Sequence, residues 1–98
     1  MIMKKKSDKQ KLKEFLKMFD DDIVMINGHE NAFLGITNLN KVGYVAVYST
    51  SQIIENIMRD DMMDYETAEE FVQYNIANSY VGEKTPILLD IVPDVFWK

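Results

Sequence analysis

The sequence predicts an α+β fold, a mostly antiparallel sheet of about four strands with helices packed on one face, in the order α-β-β-β-α-α-β. Three observations carry that expectation. Apolar residues recur at helical spacing in residues 7–19, 53–58 and 64–76. Four short runs rich in β-branched and aromatic residues stand between Asn, Gly and Pro positions, the signature of strands and turns. The 98 residues and 47% apolar content suit one domain, 1–98, with a modest core.

The first helix is expected from Ser7 to Phe19, where Leu12, Phe15, Leu16 and Phe19 share one face and lysines fill the others. Asp20-Asp21-Asp22 ends it, because adjacent carboxylates repel one another and lie unfavourably at the negative end of the helix dipole. Ile23–Ile26, Ala32–Ile36 and Val42–Tyr48 then form a meander, turned by Asn27-Gly28 and by Asn38 to Lys41. Both faces of the third strand are apolar, which places it centrally.

Ser49 and Gln52 have the spacing of a capping box, and Ile53, Ile54, Ile57 and Met58 form the buried stripe of the helix that follows. Asp64 caps the next helix, whose inner face is Ala68, Phe71, Val72, Asn75 and Ile76. Gly82 permits a turn, Pro86 suits the start of a strand over Ile87–Val92, and Pro93 closes it. The crossover through two helices brings that strand beside an early one.

Charge divides the chain unevenly. Residues 1–17 hold seven lysines against two acids, a net +5, whereas residues 18–98 carry −10. Residues 1–6 are expected to form a disordered basic tail. An acidic body repels phosphate backbones, so direct nucleic-acid binding is disfavoured. The absence of cysteine removes disulfides, thiolate metal sites and cysteine nucleophiles, and points to the cytoplasm. No run approaches the roughly 18 apolar residues of a membrane span.

Catalytic signatures are sparse. The chain has no phosphate-cradling glycine loop, and His29, its one histidine, reads as a solvated turn residue. The aspartate triplet lacks the spacing of a calcium loop. The chain is therefore read as a non-enzyme with no cofactor and no metal.

Two clusters remain as candidate contact or pocket residues. Tyr74, Asn75, Tyr80, Gly82 and Glu83 gather polar groups around the end of the last helix. Their architectural reading has Asn75 and Glu83 satisfying backbone groups, Tyr80 plugging the helix end and Gly82 adopting a special φ. Their functional reading is a small pocket at the end of the sheet. The second cluster is the tail Val95-Phe96-Trp97, which is expected to fold back on the core or to self-associate, with docking on a partner as the alternative.

The segment Arg59-Asp60-Asp61-Met62, Tyr65-Glu66-Thr67-Ala68-Glu69-Glu70-Phe71, Tyr74-Asn75 and Tyr80-Val81-Gly82-Glu83-Lys84-Thr85-Pro86-Ile87 resembles a family of small bacteriophage and prophage proteins. The likeness extends upstream through Val45–Tyr48 and the Ile53-Ile54 helix, about half of the chain. The family has no established biochemical function, so the resemblance implies a viral setting and supplies no catalytic residues. The lysine-rich first helix and the Asn38 to Lys41 turn depart from its pattern.

The resulting expectation is a small acidic phage-type accessory protein that binds a host or viral protein non-covalently, for instance as an inhibitor of a host defence system. A ligand-binding protein or enzyme using Tyr74, Asn75, Tyr80 and Glu83 is one alternative. A self-assembling structural protein using Phe96 and Trp97, hence a homo-oligomer, is another.

Overall fold

The computed structural model describes residues 7–79 and 81–97; the expected basic tail at 1–6, Tyr80 and Lys98 lie outside the described residues. Helix α1 runs over Asp8–Lys17. Ser7 caps it by accepting from the Gln10 amide at 3.2 Å, while the Gln10 side chain accepts from the Ser7 amide at 3.1 Å. Only Leu12 and Leu16 of α1 are buried. Phe15 and Phe19 lie at the margin and stack on one another, on Phe33 and on Tyr44.

Strands β1, Phe33–Leu39, and β2, Gly43–Ser49, form an antiparallel hairpin. Asn40 and Gly43 take positive φ at its turn, which needs residues that tolerate that region. Helices α2, Thr50–Asp61, and α3, Tyr65–Val72, follow, and β3, Ile87–Leu89, then pairs with β2 in parallel. Among the described residues the sheet is three-stranded and mixed, in the order β1-β2-β3. The α+β class and the central third strand hold; the antiparallel sheet of about four strands does not.

Two differences have physical reasons. Residues 23–26 were expected as a strand, yet they run irregularly and half-buried, with Ile23 and Ile26 packed on the core. The amide of Ile26 donates to the Tyr48 hydroxyl at 3.0 Å in place of a ladder bond. Second, β3 stops at Leu89 short of the expected Val92. A parallel partner advances with β2, and β2 turns into α2 after Ser49, so nothing remains for residues 90–92 to pair with.

The core joins Ala46 and Tyr48 of β2 to Ile53, Ile54 and Ile57 of α2 and to Ala68 and Val72 of α3. Val45, on the opposite face of β2, is also fully buried, so this strand is covered on both sides. As the sequence indicates, Ser49 accepts from the Gln52 amide at 3.2 Å and Asp64 from the Thr67 amide at 2.9 Å. The Gln52 side chain, however, reaches forward to Asn56 at 3.1 Å instead of back to the cap.

Asn56 organises a polar knot inside this core. It is 1% exposed. Its amide nitrogen donates to Asn31 at 2.7 Å and to Nδ1 of His29 at 3.0 Å. Its oxygen accepts from Asn31 at 3.0 Å and from Gln52 at 3.1 Å. Both valences of the side chain are thus satisfied, as burial demands. His29 is consequently a half-buried acceptor in this knot, and not the solvated turn residue expected.

Candidate functional site

The polar cluster at the end of α3 is built on a widened turn. Beyond Val72 the helix continues as a π-helical turn over Gln73–Ala77, a geometry that alters the phase of the helix. Ala68, Val72 and Ile76 stay on the inner side, but Asn75 is exposed and Phe71 lies at the surface margin. The Asn75 amide donates back to the Phe71 carbonyl at 3.1 Å, and the Asn75 carbonyl accepts from the Ser79 hydroxyl at 2.8 Å. Asn75 therefore does satisfy backbone, within the helix and from its outer side.

The connection to β3 is closed by its own residues. Gly82 has φ +105°, a value a side chain rarely adopts. Thr85 accepts from the Val81 amide at 3.0 Å and donates to the Gly82 carbonyl at 2.6 Å. Glu83 is exposed, so the amide-satisfying role expected of it falls to Thr85.

Lys84 carries the longest-range contact of this segment. Its side chain is only 13% exposed and donates to Asp20 at 2.8 Å, with Asp22 at 3.4 Å. A third bond goes to the Tyr44 carbonyl at 3.0 Å. The aspartate triplet, read from sequence as a helix stop, is thus also the counter-charge that pins the 82–86 turn to α1 and β2. Gly43 makes room for this: a Cβ there would meet Lys84 Nζ at 3.0 Å and Asp20 Oδ2 at 3.2 Å, at φ +96°.

The Lys84 hydrogen bond is the main cause that lowers the Asp20 carboxyl below its ordinary 3.8, and Asp20 in turn is the main cause that raises Lys84 above 10.5. For the carboxyl, the stabilisation is present above 3.8 and is lost as pH falls through the depressed folded value. For the lysine it is present below 10.5 and is lost as pH rises through the raised value. The Lys84→Met variant should therefore unfold more easily than the wild type between these limits, and the gap between their thermal midpoints should close at both extremes. A gap constant across pH would remove the ion pair from the account.

A shallow groove of about 270 Å³ opens beside the helix end, lined by Val24, Met25, Ile26, Asn75, Ser79 and Leu88 among others. Of the expected pocket residues, Asn75 lines it, whereas Tyr74 and Glu83 do not; Tyr80 is outside the described residues. Val24, Met25 and Ile26 were missed because their apolar run was read as a strand. The polar atoms that border the groove at Asn75, Ser79 and Thr85 are engaged with the chain's own backbone. No group of three or more His, Cys, Asp or Glu among the described residues could hold a metal ion, and no described helix is long and apolar enough to cross a membrane.

The second candidate site is the tail. Residues Asp94–Trp97 form a single 3₁₀ turn, closed by a bond from the Phe96 amide to the Pro93 carbonyl at 2.9 Å. The rings of Phe96 and Trp97 meet edge to face at 5.8 Å and 84°. Val95, Phe96 and Trp97 are 73%, 72% and 74% exposed, so the expected folding back onto the core does not occur. Leu89, Ile91 and Val92 continue the strip and are each close to half exposed.

Acids flank this strip. Asp90 and Asp94 lie within it, and residues 87–97 contain no base. A hydrogen bond to Glu69, and to a lesser degree the charge of Asp90, raise the Tyr65 hydroxyl above 10.0, which places Asp90 near the acidic start of α3. The tail is thus an apolar, aromatic strip in a negative setting.

No protein-family model matches the chain, and neither the curated proteins nor the solved structures give a significant match.

Proposed function

We propose that this chain is a phage-type accessory protein that works by binding another protein, of the host or the virus, through its C-terminal strip. The observation that carries this reading is the exposure of Val95, Phe96 and Trp97, each close to three quarters. Soluble proteins seldom leave contiguous large apolar side chains in water, and aromatic anchors supply much of the energy of protein interfaces. The groups around Asn75 are occupied in holding the π-turn and the 82–86 turn, which supports an architectural role for them. A viral setting rests on the resemblance in residues 59–87.

The acidic body suits a partner with a basic surface, including a nucleic-acid-handling defence protein whose groove it could occupy by electrostatic mimicry. The test is affinity capture from infected host cells with the wild type and with the Phe96→Ser/Trp97→Ser double variant. A partner retained by the wild type and lost by the variant, with binding that weakens as salt rises, is the expected result. Equal capture by both would remove the tail from the interface.

The groove beside α3 supports a second reading, a small-ligand site. A ligand present at 100 times its Kd adds about 2.7 kcal/mol to the folded state, so a nucleotide and metabolite panel read by thermal shift would reveal it. A groove whose polar rim is already bonded internally has little with which to select a ligand, and the panel is expected to give no shift.

A further inference from the structure

We propose that the tail strip of one molecule docks on helix α1 of a second copy, giving a head-to-tail contact between an acidic, aromatic surface and a basic, apolar one. The inference rests on the reading of the tail as an interaction surface and adds a partner for it. Its basis is charge complementarity within one chain. Residues 1–17 carry net +5 and residues 18–98 carry −10, with Asp90 and Asp94 inside the strip itself. Two tails facing each other would set like charges together, whereas a tail facing α1 sets Asp90 and Asp94 against Lys11, Lys13 and Lys17.

Helix α1 also offers apolar surface of matching kind. Lys11, Phe15 and Met18 fall at i, i+4 and i+7 and so share a face. Met18 is 79% exposed and Phe15 is 41% exposed. A methionine thioether packs well against an aromatic edge, and lysine ammonium groups are attracted to the faces of Trp and Phe. Phe96 and Trp97 could therefore meet sulfur and ammonium groups that α1 leaves in water. Because the two surfaces differ, the contact is heterologous, and each molecule retains one free helix and one free tail.

Sedimentation velocity across a concentration series tests this with the full chain. The wild type is expected to grow in average mass with concentration, and to lose affinity about tenfold when salt is raised from low to molar concentration. The helix variant Lys11→Glu/Lys17→Glu and the tail variant Phe96→Ser/Trp97→Ser should each be monomeric alone. Mixed in equal amounts they should form a dimer and nothing larger, since one intact tail then meets one intact helix.

A wild type that stays monomeric at every concentration overturns the contact, as does a helix variant that associates like the wild type, which would mean tail pairs with tail. Failure of the mixture to form a dimer overturns it too. None of these results touches the capture experiment, so this contact and the wider reading of the tail can fail separately.

Discussion

Tyr48→Ala is expected to lower stability by about 4 kcal/mol, in the range for truncating a large buried aromatic. Tyr48 has no exposed surface, lies on the central strand, and packs its ring edge to face on Phe33 at 5.6 Å. Its hydroxyl also accepts from the Ile26 amide, tying the irregular 23–26 segment to the sheet. Tyr48→Phe separates the two contributions: it keeps the ring, strands one half-buried amide, and should cost about 1–2 kcal/mol. Chemical denaturation of both variants checks this. A Tyr48→Phe loss as large as that of Tyr48→Ala would show that the hydroxyl, not the ring, dominates.

Asn56→Leu is expected to cost about 2–3 kcal/mol although it enlarges the apolar core. The volume change is small, but four hydrogen bonds disappear, leaving Asn31, Gln52 and His29 without this partner. Asn31 is exposed and the other two are half-buried, so water recovers part of the loss and the costs do not simply add. At this chain length the change corresponds to a fall in Tm on the order of 10–20 °C. Glu55→Gln, one residue away and exposed, should stay within about 0.5 kcal/mol of the wild type. An Asn56→Leu protein as stable as the wild type would mean that the knot is incidental to the fold.

These expectations concern residues far in role from the tail, and that separation matters for function. The scaffold is held by Tyr48, Asn56 and the Lys84 ion pair, none of which involves Phe96 or Trp97. Substitutions in the tail should therefore change binding while leaving the fold intact.

The features legible in the sequence were those determined within a few residues. Ser49 and Asp64 cap their helices because the bonded amides are three positions away, a spacing any reader of the chain can see. The β1–β2 hairpin was legible for the same reason, through the Asn and Gly residues of its turn. What depended on distant partners was not legible. The apolar run at 23–26 serves equally as a strand or as irregular packing, and its partner Tyr48 lies 22 residues further on.

Length and pairing of β3 escaped notice because β2 leaves the sheet at Ser49, a fact of tertiary geometry. Asn56 stood beside an apolar stripe and resembled a surface residue, since His29 and Asn31, which cover it, come from another part of the chain. Asn75 fell on the inner face of a regular helix, and only the π-turn carries it outward. For the candidate site, the tail was legible from its three large apolar residues. That it stays off the core was not.

Trp97 is the one tryptophan in the chain, so its fluorescence reports on the tail alone. In dilute, folded wild-type protein the account predicts the red-shifted emission of a solvated indole, quenched freely by iodide, with a blue shift and protection appearing only when a partner or a second copy is bound. Emission that is already blue-shifted and protected in the isolated monomer would place Trp97 against the core and contradict the tail as a binding surface.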